Sequence, residues 1–369
     1  MQFGGVRIAR IFDIEIWLDY SWLIIFFIIF VSFTVGLLPA QLPGLTWPGS
    51  VLAGTITTLL FFASIIAHEL SHSLYAKSQG LEIKRITLFI FGGASELIDE
   101  PKTPRQEFVV AAVGPLTSLI LGAAFVLVWL AGDAAGFTPV AAVGSILATI
   151  NIALAIFNLL PGFPLDGGRI FRSLVWYQTG SLETATRYAA TGGRVLGFSL
   201  GIIGLLQIIV NQSAGGLWMI LIGLFLYQSA GLSYLQTISR VVLKDVRVRD
   251  LMNRNFISVN RSMNVRELLE KHVLRYKDAE VVVKPDKKHA AGVLEIDSLP
   301  EKVLDEPVGQ FLPPKTHLVD PRETVIKALD EMVTAGISKL AVTEKGKPVG
   351  ILSTRDIQTY ITSKSKLGT

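Results

Sequence analysis

The chain has 369 residues, half of them hydrophobic and only 17% charged, with a mean hydropathy of +0.50 and a formal net charge of +4. Soluble domains carry about 25% charged residues, so most of this chain is built for a bilayer. Its basic residues are dispersed, with no run interleaved by aromatics, which argues against a nucleic-acid partner; with no cysteine, disulfides and thiolate metal sites are excluded.

The charge is uneven. Residues 1–240 hold 12 Lys/Arg and 12 Asp/Glu, and residues 241–369 hold the other 22 and 18, so charge density about triples near residue 240. A membrane domain over 1–240 followed by a soluble domain over 241–369 is the expected division. Residues 1–19 are amphipathic, without an apolar core or a small-residue cleavage site, and predict no cleavable signal. Six stretches, 18–38, 50–76, 107–131, 139–160, 195–211 and 216–236, are long and apolar enough to cross ~30 Å of hydrocarbon as helices. The connections "PAQLPGLTWPG", "GDAAGFTP" and "NQSAGG" contain no Lys or Arg, whereas the alternate ones carry Arg7 and Arg10, then Lys77 to Arg105, then Arg169 to Arg194, then the basic tail. The positive-inside rule makes the second set cytoplasmic, with both termini and the tail inside.

Between the second and third spans, "LEIKRITLFIFGGASELI" (81–98) fits no helix: it is β-branched and aromatic and breaks at Gly92-Gly93, which predicts a membrane-associated hairpin. A hairpin dipping towards the bilayer must be buried in protein or line a cavity. The fourth span ends in "NLLPGFPLDGGRI", where two prolines and three glycines force the helix to unwind.

The second span ends in "AHELSH". Ionisable groups inside a bilayer cost several kcal/mol, so a partner is expected. Residues i and i+4 share a helix face, so His68 and His72 can bind one ion, with Glu69 beside them to handle a proton from bound water. At 1.5 Å per residue they lie roughly 7–14 Å above Lys77, within reach of the cytosol. A catalytic zinc site of this kind needs a third protein ligand. Asp166, on what is expected to be a mobile break at the same depth, is the best candidate, and Asn158 is placed to hydrogen-bond a substrate carbonyl. The competing reading is that the histidines bond neighbouring helices and Asp166 merely caps the next helix. His272, His289 and His317 lie in the tail and are expected to be solvated.

Taken together, His68-Glu69-Leu70-Ser71-His72, Asn158…Pro161…Pro164-Leu165-Asp166-Gly167-Gly168 and "GPLTSL" after Val113 closely resemble the site-2 protease family of intramembrane zinc metalloproteases. The resemblance implies one zinc per chain held by His68, His72 and Asp166, Glu69 as general base and Asn158 as the group that orients substrate. It also implies cleavage of transmembrane segments of membrane-anchored regulators, such as anti-sigma factors, in a plasma membrane. An unwound substrate could add as a strand to the hairpin at 83–97, so proline at Leu88 or Phe89 is expected to lower activity without loss of zinc.

From Val248 the tail repeats with a period of about 60: "VRDLM" aligns with "VGQFL", "AEVVV" with "KLAVT", and "GVLEI" with "GILST". The pattern resembles a tandem pair of CBS domains, over about 245–302 and 305–364. The second copy ends "GILSTRD", where the resemblance implies that Ser353 and Asp356 contact a ribose and Thr354 lies near a phosphate. The first copy, "GVLEIDS", lacks the hydroxyl and brings its acid, Asp297, one residue early. Two roles stay open: a packing module that makes a homodimer, and an adenine-nucleotide sensor controlling the protease. The expected fold is therefore a polytopic α-helical membrane domain with a membrane-associated hairpin, joined to a soluble α/β CBS pair. A CBS-bearing transporter or channel is the competing class, and a catalytically silent binder of membrane partners the third. No second broken helix or inverted repeat favours transport.

Overall fold

The structure, a computed structural model of the chain, describes residues 4–97, 101–212, 215–273, 280–286, 289–296, 299–300, 303–313 and 316–367. It divides into two units, Met1–Leu235 and Gln236–Thr369.

In the first unit, the amphipathic stretch over residues 1–19 contains "VRIARIFDIEIWLD", whose alternation makes a hairpin not among the elements expected above. Strands β1 (Gly5–Ile11) and β2 (Ile14–Asp19) pair antiparallel around Phe12 and Asp13, both left-handed at φ 51° and 66°. The hairpin expected at 81–98 is present as β3 (Ile83–Phe89) and β4 (Gly92–Leu97). The two hairpins join through a parallel β2–β3 pairing into one sheet of order β1-β2-β3-β4. Ile14, Ile16, Ile86 and Leu88 are at most 2% exposed, so apolar burial locks the register. Strand β3 is thus interior. Leu88 pairs with Leu18 on one side and Gly93 on the other, so proline there would break the sheet and would not test its edge; the outer strand on this hairpin's side is β4, and β1 is the other.

Among the described residues, six helices are long and apolar enough to cross a membrane: α1 (Trp22–Gln41), α2 (Trp47–Ser78), α3 (Pro104–Ala134), α4 (Thr138–Asn158), α6 (Leu182–Asn211) and α7 (Gly215–Leu243). Side-chain caps explain three of the starts. Thr46 and Thr103 each accept from a backbone N–H three residues on, with proline in the first turn of α2 and α3. Helix α6 begins thirteen residues before the apolar stretch at 195, because Ser181 accepts from the Thr184 N–H and starts it there. Between α4 and the short helix α5 (Asp166–Thr179), residues 159–165 fold back as a packed turn. The Phe163 N–H donates to the Ala189 carbonyl at 3.1 Å, and a Cβ on Gly193 would lie 1.9 Å from the Phe163 oxygen. Phe163 is 4% exposed. The break is therefore held against α6 rather than mobile, because glycine lets two backbones touch.

In the second unit the two repeats fold alike. Strands β5 (Phe256–Val259) and β6 (Glu280–Val283) run parallel and β7 (Gly292–Leu294) antiparallel; β8 (Leu318–Val319) and β9 (Lys339–Glu344) run parallel and β10 (Lys347–Ser353) antiparallel. The second copy adds helices over Val325–Ala335 and Thr354–Leu367. Val325, Ala328 and Met332 are spaced three and four apart and pack on Leu340, Val342 and Leu352. The first copy closes around Val265, Leu268, Val281 and Val283.

Candidate metal centre

Helix α2 carries His68 and His72 one turn apart, and α5 opens on Asp166 in its first turn. Asp166 makes no capping bond; Leu165 is the cap position, and it too has no side-chain bond. Instead the Asp166 Oδ2 lies 3.1 Å from His68 Nε2 and 3.2 Å from His72 Nε2, and the two Nε2 atoms are 3.2 Å apart. Both histidines are buried. Among the described residues, this is the group of His and carboxylate side chains whose ligand atoms converge within 4.8 Å.

The far side of each ring is fixed by α3. His72 Nδ1 lies 2.6 Å from the Val110 carbonyl, which can only accept, so Nδ1 carries the proton and Nε2 turns a lone pair towards Asp166. His68 Nδ1 lies 2.8 Å from Ser118 Oγ. Between them sits Gly114, where a Cβ would stand 2.1 Å from His72 Nε2 and 2.7 Å from His68 Nε2. Val110, Gly114 and Ser118 recur every fourth residue and form one stripe of α3. None of the three was singled out from sequence; that spacing, partly within "GPLTSL", was the available signal.

A zinc ion suits this arrangement. Three electron-rich atoms converge at mutual distances of 3.1–3.2 Å. Tetrahedral ligands at about 2.0–2.1 Å from zinc stand about 3.3–3.4 Å apart. The outer ring nitrogens are tied as metal-binding histidines require, and the glycine leaves room for both rings.

Glu69 is half-buried, and its Oε2 accepts from Ser95 Oγ of β4 at 2.8 Å. Asn158 closes α4, half-buried, and its side chain has no hydrogen bond among the described residues, so it stands outside the bonded cluster. Behind the site, Glu107 of α3 and Arg172 of α5 form a buried ion pair, with Arg172 Nε 2.6 Å from Oε1 and its charge 5.1 Å above the Phe163 ring.

Residues 56–133 and 132–200 match Peptidase family M50, and residues 248–302 and 308–363 match the CBS domain. A provisionally named zinc metalloprotease of Synechocystis is 37% identical over 272 residues, 73% of this chain and 70% of that protein. The provisionally named zinc metalloprotease Rip3 of Mycobacterium tuberculosis is 32% identical over 370 residues, 97% of this chain and 93% of that protein. This chain belongs to peptidase family M50, the site-2 proteases. It is a membrane zinc metalloprotease with a tandem CBS pair. The solved site-2 protease of Methanocaldococcus jannaschii is 28% identical and matches 63% of this chain and 95% of that one, with a TM-score of 0.43.

In the CBS pair, Ser353 Oγ donates to Asp356 Oδ2 at 2.6 Å and accepts from the Asp356 N–H, so the two side chains cap the last helix. The Thr354 N–H donates to the Ser338 carbonyl. A cleft of about 580 Å³ is lined by Gly292, Glu295, Thr316, His317, Ser338 and Lys339 among others, but not by Ser353, Thr354 or Asp356. His317 lines this cleft and pairs with Glu331 at 2.9 Å, its side chain 18% exposed, so it is not the solvated residue expected. His289 is exposed and paired with Asp286. Asp297 lies outside the described residues.

Proposed function

We propose that the membrane unit hydrolyses peptide bonds within transmembrane segments of membrane-anchored proteins, with one zinc per chain held by His68, His72 and Asp166. The observation that carries this is the convergence of two imidazole nitrogens and a carboxylate oxygen from α2 and α5, with a glutamate next in sequence. A zinc held there would supply Lewis acidity that acidifies water and polarises a carbonyl. Glu69 would be the group that accepts a proton from the attacking water and returns it to the leaving amine. Asn158, with its amide unspent, orients the substrate carbonyl. The outer edge of β4 offers backbone groups to a substrate helix that has unwound, replacing the hydrogen bonds it lost.

The Lys/Arg pattern of the loops supports a multi-pass protein of the plasma membrane with both termini and the CBS pair cytoplasmic. Substrates are then membrane-anchored regulators, anti-sigma factors among them. The cleft of the CBS pair is large enough for an adenine nucleotide, whose binding modulates the protease, and the pair also offers a homodimer surface.

The test is zinc content and cleavage in detergent-purified full chain. Wild type should carry about one zinc and Asp166→Ala little, while Glu69→Gln should keep the zinc and lose hydrolysis. Zinc absent from folded wild type would overturn the reading.

A further inference from the structure

We infer that Ser95 is a positioning residue that holds the Glu69 carboxylate, so that the outer strand of the sheet sets the geometry of the proton-transfer group. The inference rests on the reading of Glu69 as general base. Three observations support it. Ser73, buried on α2 four residues after Glu69, donates to Ser95 Oγ at 3.2 Å, and Ser95 in turn donates to Glu69 Oε2 at 2.8 Å. The two bonds run head to tail, which strengthens the second. Gly93, two residues before Ser95 and so on the same face of β4, lies against the glutamate stem: a Cβ there would stand 2.4 Å from Glu69 Cγ. That face of β4 therefore presents bare backbone where the stem passes and a hydroxyl where the carboxylate ends. The partner is chosen by shape and donor, not by charge.

The consequence is mechanical. Glutamate has three rotatable bonds, and among the described residues no side chain of α2 hydrogen-bonds the Glu69 carboxylate. The hydroxyl of β4 does so, leaving Oε1 outside the Ser95 bond. Because β4 is the outer strand, a substrate segment pairing along it would press on the same strand that holds the base. Substrate docking and base alignment are thereby linked through one residue.

Threonine and valine separate this role from packing, since they have the same shape and differ in the hydroxyl. The full chain, zinc-loaded in phosphatidylcholine vesicles, is given a synthetic single-span helix with a central Gly-Gly pair as substrate. Ser95→Thr should retain most of the activity that Ser95→Val loses. The valine variant should fall in kcat by about 10- to 100-fold, with zinc content and melting temperature matching those of the threonine variant. A second readout needs no turnover. The infrared carboxylate band of Glu69, isolated as each protein minus its Glu69→Gln counterpart, should shift in Ser95→Val and not in Ser95→Thr. Equal bands and equal kcat in the two variants would overturn the inference while leaving the protease reading intact. No cleavage by wild type, with the band still shifting in Ser95→Val, would instead remove the protease reading and keep Ser95 as the group that holds Glu69.

Discussion

Replacing Gly114 by alanine puts the metal centre and the helix that backs it at odds, which makes the outcome diagnostic. The added Cβ would stand 2.1 Å from His72 Nε2, 2.4 Å from Cε1 and 2.7 Å from His68 Nε2. An ordinary contact begins at about 3.4 Å, so the His72 ring must retreat by about 1.3 Å. Metal sites tolerate about 0.2 Å. The ring cannot yield by pivoting, because its Nδ1 is tied to the Val110 carbonyl on the same helix. Meanwhile alanine favours helix α3 over glycine by about 0.8–1.0 kcal/mol. Gly114→Ala should therefore lose zinc, with affinity down about 100-fold and activity with it, while the helix gain offsets part of the ~1–3 kcal/mol overpacking cost, so that metal-free protein melts only slightly below metal-free wild type. Metal analysis of the purified chain, zinc titration against a competing chelator, and thermal melts after chelation read the two effects separately. Full zinc with full activity would refute the assignment of the cradle. Zinc loss accompanied by an equal loss of stability in the metal-free protein would refute the argument that the rings alone are displaced.

The Glu107–Arg172 pair is buried on both sides, and the Glu107 Oε2 has no partner among the described residues. Removing one partner, as in Glu107→Ala, should cost about 3–5 kcal/mol, and replacing both with apolar residues of similar volume much less, read as melting temperatures of the detergent-solubilised chain. Ser118→Ala frees His68 Nδ1 and should lower zinc affinity by about 10- to 100-fold with the fold unchanged, measured against a chelating competitor. Chelation of the wild type should abolish cleavage yet leave the far-ultraviolet dichroism of the helices intact, because the spans are held by packing and backbone hydrogen bonds rather than by the ion. Adenosine nucleotide added to the full chain at millimolar concentration should protect the CBS pair from limited proteolysis; an unchanged digestion rate would favour a module that only packs.

Much of this protein is legible in the chain because the signals are local. Six apolar stretches report six helices, since each helix satisfies its own backbone in lipid. The i, i+4 spacing of His68 and His72 follows from helical pitch, and the break at 161–168 from residues that cannot continue a helix. The repeat of about 60 residues reports two like folds in the tail. The hairpin at 83–97 was legible for the same reason, whereas its partner at 5–19 was passed over, although "VRIARI" and "IEIWLD" alternate just as clearly.

What tertiary structure alone decided is which groups meet. Asp166 is 94 residues from His72 and reaches it only because the turn before α5 is packed on α6 through glycine contacts. The stripe of Val110, Gly114 and Ser118 reads as ordinary small-residue packing until α3 is laid against α2, when it becomes the support of both rings. Ser95 is an unremarked residue of a short strand until the sheet order makes β4 the outer strand and brings its hydroxyl to Glu69. The physical reason is the same in each case. Helical and strand periods are set by the backbone within a few residues, but the partner of a side chain is set by how separate elements pack, and no local period records that.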